Sequence, residues 1–215
     1  MMTEKRKTFL ENIVKNRSFT FGTMDNTRIF ILLNNLCNVL ESGIEGDIVE
    51  LGCYMGKTSI LISQVLNFYK SSNKFYVYDS FEGLPENCEQ DGQTPSWAKK
   101  GSLNSNMENF IKLYKEYNLD LPIINKGFFS EIDDSLYPTK IIFAFLDGDL
   151  YTSTYDSLNK IYSKVVTNGT IQVDDYEHPQ LPGVKKACDE YLKKNNIIDK
   201  FVNVGKRQGV LTKTC

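Results

Sequence analysis

Apolar residues recur at two different spacings along this chain. Ahead of Asp47 the spacing is helical: residues 4–16 and 25–43 each carry an apolar stripe, with Ile29, Leu32, Leu33, Leu36, Val39 and Leu40 in the second and Gly43 as its stop. From Asp47 onward, short apolar runs alternate with amphipathic stretches. The runs at 48–51, 75–78, 122–125, 141–146 and 170–173 predict strands, and 58–69, 104–117, 152–165 and 183–194 predict the helices between them. Two further strands, 201–204 and 210–212, are joined by Gly205-Lys206-Arg207-Gln208-Gly209 and are expected to form an antiparallel hairpin. Runs buried on both faces and separated by helices indicate an α/β fold with right-handed crossovers. The expectation is a seven-stranded, mostly parallel sheet with an antiparallel edge hairpin, helices on both faces and an N-terminal helical preface at 1–45. The interval 81–103 fits neither spacing. It is rich in Gly, Pro, Asn, Gln, Ser and acids, holds the only tryptophan, Trp97, and leaves the end of a central strand, so it reads as a lid, with a disordered excursion as the alternative.

Composition changes the picture mainly by exclusion. With 215 residues and a net charge of -2, the chain is expected to form one domain spanning 1–215. Lys and Arg are scattered without a basic stripe, so no nucleic-acid partner is expected. No stretch reaches the roughly 18 consecutive apolar residues of a membrane span, which argues for a soluble, cytoplasmic protein with no membrane partner. Cys37, Cys53, Cys88, Cys188 and Cys215 are odd in number and lack a CxxC pair, as expected of free thiols in a reducing compartment. The N-terminal helices are apolar enough to suggest a homodimer or larger homo-oligomer.

Candidate chemistry lies at the ends of the predicted strands. Leu146-Asp147-Gly148-Asp149 and Val173-Asp174-Asp175-Tyr176 each put paired acids directly after an apolar run. If those runs are neighbouring parallel strands, about 4.8 Å apart, up to four carboxylates crowd the carboxyl edge of the sheet, where open α/β folds bind ligands. Either pair alone is also an ordinary turn former or helix cap. Gly52 and Gly56 form a turn between a strand and a helix, but only three residues separate them, against the four a phosphate-binding loop requires. The dinucleotide GxGxxG is absent too, and Glu50 disfavours phosphate, so a nicotinamide dehydrogenase is not indicated. Asp79 ends the next strand, where nucleoside-binding sheets place a carboxylate on the ribose hydroxyls.

The segments Glu50-Leu51-Gly52-Cys53-Tyr54-Met55-Gly56, Tyr78-Asp79-Ser80-Phe81-Glu82-Gly83-Leu84-Pro85, Leu146-Asp147-Gly148-Asp149-Leu150-Tyr151 and Asp174-Asp175-Tyr176 together resemble the macrocin O-methyltransferase family. The resemblance implies a Rossmann-like class I methyltransferase fold. It also implies O-methylation of a sugar hydroxyl, dependent on S-adenosylmethionine and a divalent metal, with a sugar-containing small molecule as partner. The cofactor-binding set it implies is Glu50, Gly52, Gly56, Ser59, Asp79, Ser80 and Asp147. Asp147, Asp174 and Asp175 would be metal ligands, for Mg²⁺ first and Mn²⁺ second given oxygen-only donors, and Asp149 the catalytic base. Thr23-Met24 would approach the cofactor, although Phe21-Gly22 stands where a tyrosine is expected, and 86–100 matches no family pattern. A catechol-like acceptor and a nonenzymatic S-adenosylmethionine-binding module remain as alternatives. His178, the single histidine, could be a base or a substrate contact; Trp97 and Phe81 could stack on a ligand or merely pack; and Tyr151 could line the pocket or pack the helix start.

Overall fold

The computed structural model describes residues 3–16 and 24–214. Two helices, α1 (Glu4–Asn16) and α2 (Asn26–Glu41), precede the first strand. Then follow β1 (Asp47–Leu51), α3 (Lys57–Tyr69), β2 (Phe75–Asp79), α4 (Met107–Glu116), β3 (Ile123–Lys126) and β4 (Ile141–Leu146). The chain continues through α5 (Tyr151–Ile161), β5 (Val165–Val173), α6 (Pro182–Lys194), β6 (Val202–Val204) and β7 (Gln208–Thr212). The strands form one sheet in the order β3-β2-β1-β4-β5-β7-β6. β1 to β5 pair in parallel, while β7 is antiparallel to both β5 and β6, which makes the expected edge hairpin.

Strand character follows burial. All six residues of β4 are buried, because helices cover both faces of the sheet. Leu32, Leu36, Ile60, Val65 and Phe110 pack α2, α3 and α4 on one face, and Leu158, Ile161, Val184 and Cys188 pack α5 and α6 on the other. The apolar stripe of α2, which suggested a subunit contact, is thus spent on the chain's own sheet. α1 is tied to α2 by buried Arg6, which donates to Glu41, to the Asn34 carbonyl and to Asn38 at 2.6–2.8 Å.

Several elements differ from their predicted extents: α4 begins at Met107 rather than 104, β7 at Gln208 rather than 210, and the largest change lies at α5 and β5. The helix expected over 152–165 ends at Ile161; a 3₁₀ turn, Tyr162–Lys164, follows, and β5 begins at Val165 rather than at Thr170. Asn168-Gly169 reads as a turn in the sequence, and Asn168 is indeed left-handed, with φ of 65°. The segment stays in the sheet because Asn168 donates to the Lys213 carbonyl at 2.8 Å and Lys213 to that of Gly169 at 2.9 Å. The irregularity is absorbed by a register shift against β4.

Residues 81–103 form a folded loop. Its neck is closed where Leu84 donates to the Ser102 carbonyl at 2.8 Å and Gly101 to that of Leu84 at 2.9 Å. Inside it, Asn87 Nδ2 donates to the carbonyl of buried Ala98 at 3.0 Å.

Candidate active site

The strand order reverses at β1, which lies between β2 and β4, and the site is built on the carboxyl ends around that point. The ladder runs on past the strands: Gly52 donates to the Tyr78 carbonyl at 2.8 Å, Asp147 to that of Leu51 at 2.9 Å, and Asp174 to that of Leu146 at 2.8 Å. These bonds set the glycine turn and both acidic turns side by side. Gly52 has φ of 95°, and a Cβ on it would lie 2.1 Å from the Asp147 carbonyl oxygen, so only glycine permits the close approach.

Asp79 braces the glycine turn. Its Oδ2 accepts from the Cys53 and Tyr54 amides at 2.9 and 2.8 Å, and its Oδ1 from the Phe81 amide at 2.7 Å. Burial raises its pKa, and the three amides act in the opposite direction. Glu50 is fully buried, its Oε2 accepts from the Ser59 hydroxyl, and burial pushes its pKa up to about 8.

A cavity of about 710 Å³ opens along this edge, a volume typical of small-molecule sites. Gly52, Asp79, Ser80, Asp147, Asp149 and Asp175 all line it. The expected residues Glu50, Gly56 and Ser59 are absent from its described wall and support the turn from behind. Asp174 is also behind the wall, 3% exposed.

The carboxylates of Asp147, Asp149 and Asp175 each bring an oxygen to within 4.8 Å of the others. Asp174 is engaged elsewhere: Oδ2 meets Arg28 Nη1 at 2.9 Å and Oδ1 accepts from Gln208 Nε2 at 3.0 Å. Arg28 Nη1 also lies 3.2 Å from Asp175 Oδ1. Burial first, and like charge second, pushes Asp147 well above the carboxylate range, Asp149 to about 8 and Asp174 to about 7. Asp175 is raised by burial against the pull of Arg28. Desolvated acids this close are short of positive charge, and their all-oxygen donor set fits a hard divalent cation.

Arg28 was not among the residues singled out in the sequence. Its signal is positional: it lies four residues before Leu32 and eight before Leu36, a charge on the apolar stripe of α2 that burial obliges to find partners. Gly127, Phe128 and Phe129 after β3, and Arg207 in the edge hairpin, also line the cavity without having been flagged. His178 and Trp97 meet at the rim, edge to face, with ring centroids 6.3 Å apart. Phe81 instead packs edge-on against Phe110, and the Tyr151 hydroxyl donates to Glu190 at 2.7 Å. Cys37, Cys53, Cys88 and Cys188 are free thiols, while Cys215, Phe21, Gly22 and Thr23 lie outside the described residues. Met24 is buried, its sulfur 3.5 Å from Gln208 Nε2. Among the described residues no helix is long and apolar enough to cross a membrane.

This strand order, with a glycine turn after the central strand and an acid ending its neighbour, is the class I methyltransferase architecture. The chain belongs to the macrocin-O-methyltransferase (TylF) family, whose sequence profile matches residues 11–212, and it is therefore an O-methyltransferase. It is 29% identical over 180 residues to demethyldecarbamoylnovobiocin O-methyltransferase of Streptomyces niveus, covering 80% of this chain and 68% of that one. It is also 29% identical over 168 residues to 8-demethyl-8-(2,3-dimethoxy-alpha-L-rhamnosyl)-tetracenomycin-C 4'-O-methyltransferase of Streptomyces olivaceus, covering 75% and 63%. Among solved structures, the O-methyltransferase NovP superposes with a TM-score of 0.81 at 26% identity, over 90% of this chain and 82% of that one.

Proposed function

We propose that the chain methylates a sugar hydroxyl of a glycosylated small molecule, using S-adenosylmethionine and a divalent cation. The observation that carries this reading is one cavity lined both by the cofactor edge, Gly52 and Asp79, and by the clustered carboxylates of Asp147, Asp149 and Asp175. The rhamnosyl group in the name of the Streptomyces olivaceus relative supports a sugar acceptor.

S-adenosylmethionine would supply a methyl group on a sulfonium, open to in-line displacement by an oxygen. Asp79 would accept hydrogen bonds from the ribose hydroxyls, with Ser80 beside it. Gly52 keeps the passage between the β1 turn and Asp147 free of side-chain atoms. Asp147 and Asp175 would hold Mg²⁺ or Mn²⁺, joined by Asp174 on exchange of its bond to Arg28 for the ion, and the cation's Lewis acidity would lower the pKa of nearby hydroxyls. Arg28 would share Asp174 and Asp175 from the α2 side. Asp149 would take the proton from the acceptor hydroxyl, its carboxylate lying in the cavity wall beside those of Asp147 and Asp175. The loop 81–103 would cover the acceptor and exclude water as the lid of a single domain.

Calorimetric titration of S-adenosylmethionine into wild type and Asp79→Ala, each with Mg²⁺ or EDTA, tests the cofactor site. Micromolar binding that weakens sharply in the variant supports it; no binding of the methyl donor or its demethylated product rejects it. Methyl transfer to glycosides and nucleotide sugars, but not to catechols, is the expected acceptor pattern.

A further inference from the structure

α5 starts two residues after Asp149, and its N-cap residue, Leu150, has no side chain that can cap it. The open amide of Tyr151 is met from 60 positions upstream, by Asp91 Oδ1 at 2.7 Å. Asp91 belongs to the loop 81–103 and is 1% exposed. Its Oδ2 accepts from the Cys88 amide at 2.9 Å and from the Cys88 thiol at 3.3 Å. One carboxylate therefore closes the 3₁₀ turn Glu89–Asp91 with one oxygen and caps α5 with the other. α6 completes the seat: a Cβ on Gly183 would lie 2.2 Å from Asp91 Oδ1 and 3.0 Å from Tyr151 Cβ.

We propose that Asp91 is a positioning residue that latches the loop 81–103 onto the first turn of α5, keeping the loop as a cavity wall and the Asp147–Asp149 turn in place. The inference rests on the reading of this cavity as the active site. A buried charge-assisted hydrogen bond at a helix N-terminus is strong and favoured by the helix dipole. Asp91 is not among the residues lining the cavity and acts through what it holds. The loop it seats carries Trp97 to the cavity rim beside His178, and its neck is pinned separately at Leu84 and Ser102. Releasing the latch would free the middle of the loop while leaving its ends attached.

Trp97 is the only tryptophan, so its fluorescence reports on this loop alone. In Asp91→Ala, acrylamide quenching of Trp97 should rise toward that of free tryptophan, and kcat/KM for the acceptor should fall about tenfold or more. S-adenosylmethionine affinity should hold, because the Asp79 edge is built on β1 and β2. Asp91→Asn, still a competent helix cap, should restore much of the loss. Gly183→Ala should reproduce the Ala phenotype by displacing the carboxylate, and it decides the matter if Asp91→Ala does not fold. Unchanged quenching and kcat/KM in a folded Asp91→Ala or Gly183→Ala, or an Asn variant no better than Ala, overturns the latch. Quenching needs no methyl donor, so failure of the methyltransferase reading shows separately, as absent S-adenosylmethionine binding in wild type.

Discussion

Asp149 and Asp175 both hold left-handed backbone, with φ of 59° and 54°. Non-glycine residues rarely rest there, and such strain collects at functional sites, where the surrounding structure fixes the geometry. Asparagine tolerates this conformation and matches aspartate in shape, so Asp149→Asn isolates the proton-accepting role. Steady-state kinetics should show kcat lower by about 10²–10⁴ with S-adenosylmethionine affinity retained; a kcat near wild type would remove Asp149 as the base. Glu50 yields a pH prediction. Its pKa rises from 4.5 to about 8 on folding, so the folded state binds the extra proton and its contribution is complete below pH 4.5. Stability attributable to Glu50 then falls by about 1.4 kcal/mol per pH unit across that window. Unfolding midpoints of Glu50→Gln and wild type should therefore diverge in favour of the variant as pH rises from about 4.5 to 8; parallel curves would contradict this.

β4 had a single reading in the sequence because burial on both faces demands an unbroken apolar run. β5 was only half readable. Its Asn168-Gly169 pair carries turn chemistry, and the backbone pairing that overrides it comes from Lys213, just past β7 and more than forty residues away. The glycine turn after β1 was readable as a turn, but its tolerance was not. A methyl group at Gly52 would both clash with the Asp147 carbonyl at 2.1 Å and strain a φ of 95°. Gly52→Ala should cost about 2–4 kcal/mol in denaturant unfolding and abolish S-adenosylmethionine binding. Near-wild-type values for both would mean that the β1 and β4 turns separate freely.

Across the whole molecule, the side chain of Arg28 joins the N-terminal helices to the acidic edge. Arg28 of α2 carries the positive charge against Asp174 and Asp175 at 2.9 and 3.2 Å, and Asp147 also feels it. In metal-free protein, Arg28→Met should lower stability by about 3 kcal/mol, because the acids lose their buried counter-charge. Saturating Mg²⁺ should then raise the thermal midpoint more in Arg28→Met than in wild type, since binding supplies the missing charge. Equal shifts in the two proteins would mean that Arg28 and the cation do not address the same carboxylates.

Because strand periodicity and turn chemistry are written in neighbouring residues, local pattern was sufficient for the order and type of the elements, the glycine turn and the two acidic pairs, though not for where α5 ends and β5 begins. It also carried the family, through motifs held in contiguous stretches. Which carboxylates face one another was a matter for the tertiary structure. Asp149 joins Asp147 and Asp175 while Asp174 turns to Arg28 and Gln208, and these partners come from α2 and β7, at opposite ends of the chain. The same holds for Glu50 and Ser59, paired behind the cavity wall, and for Asp91, whose partner amide is 60 positions away. Contacts of that range arise only when the sheet order is complete, since packing rather than local propensity chooses the partner.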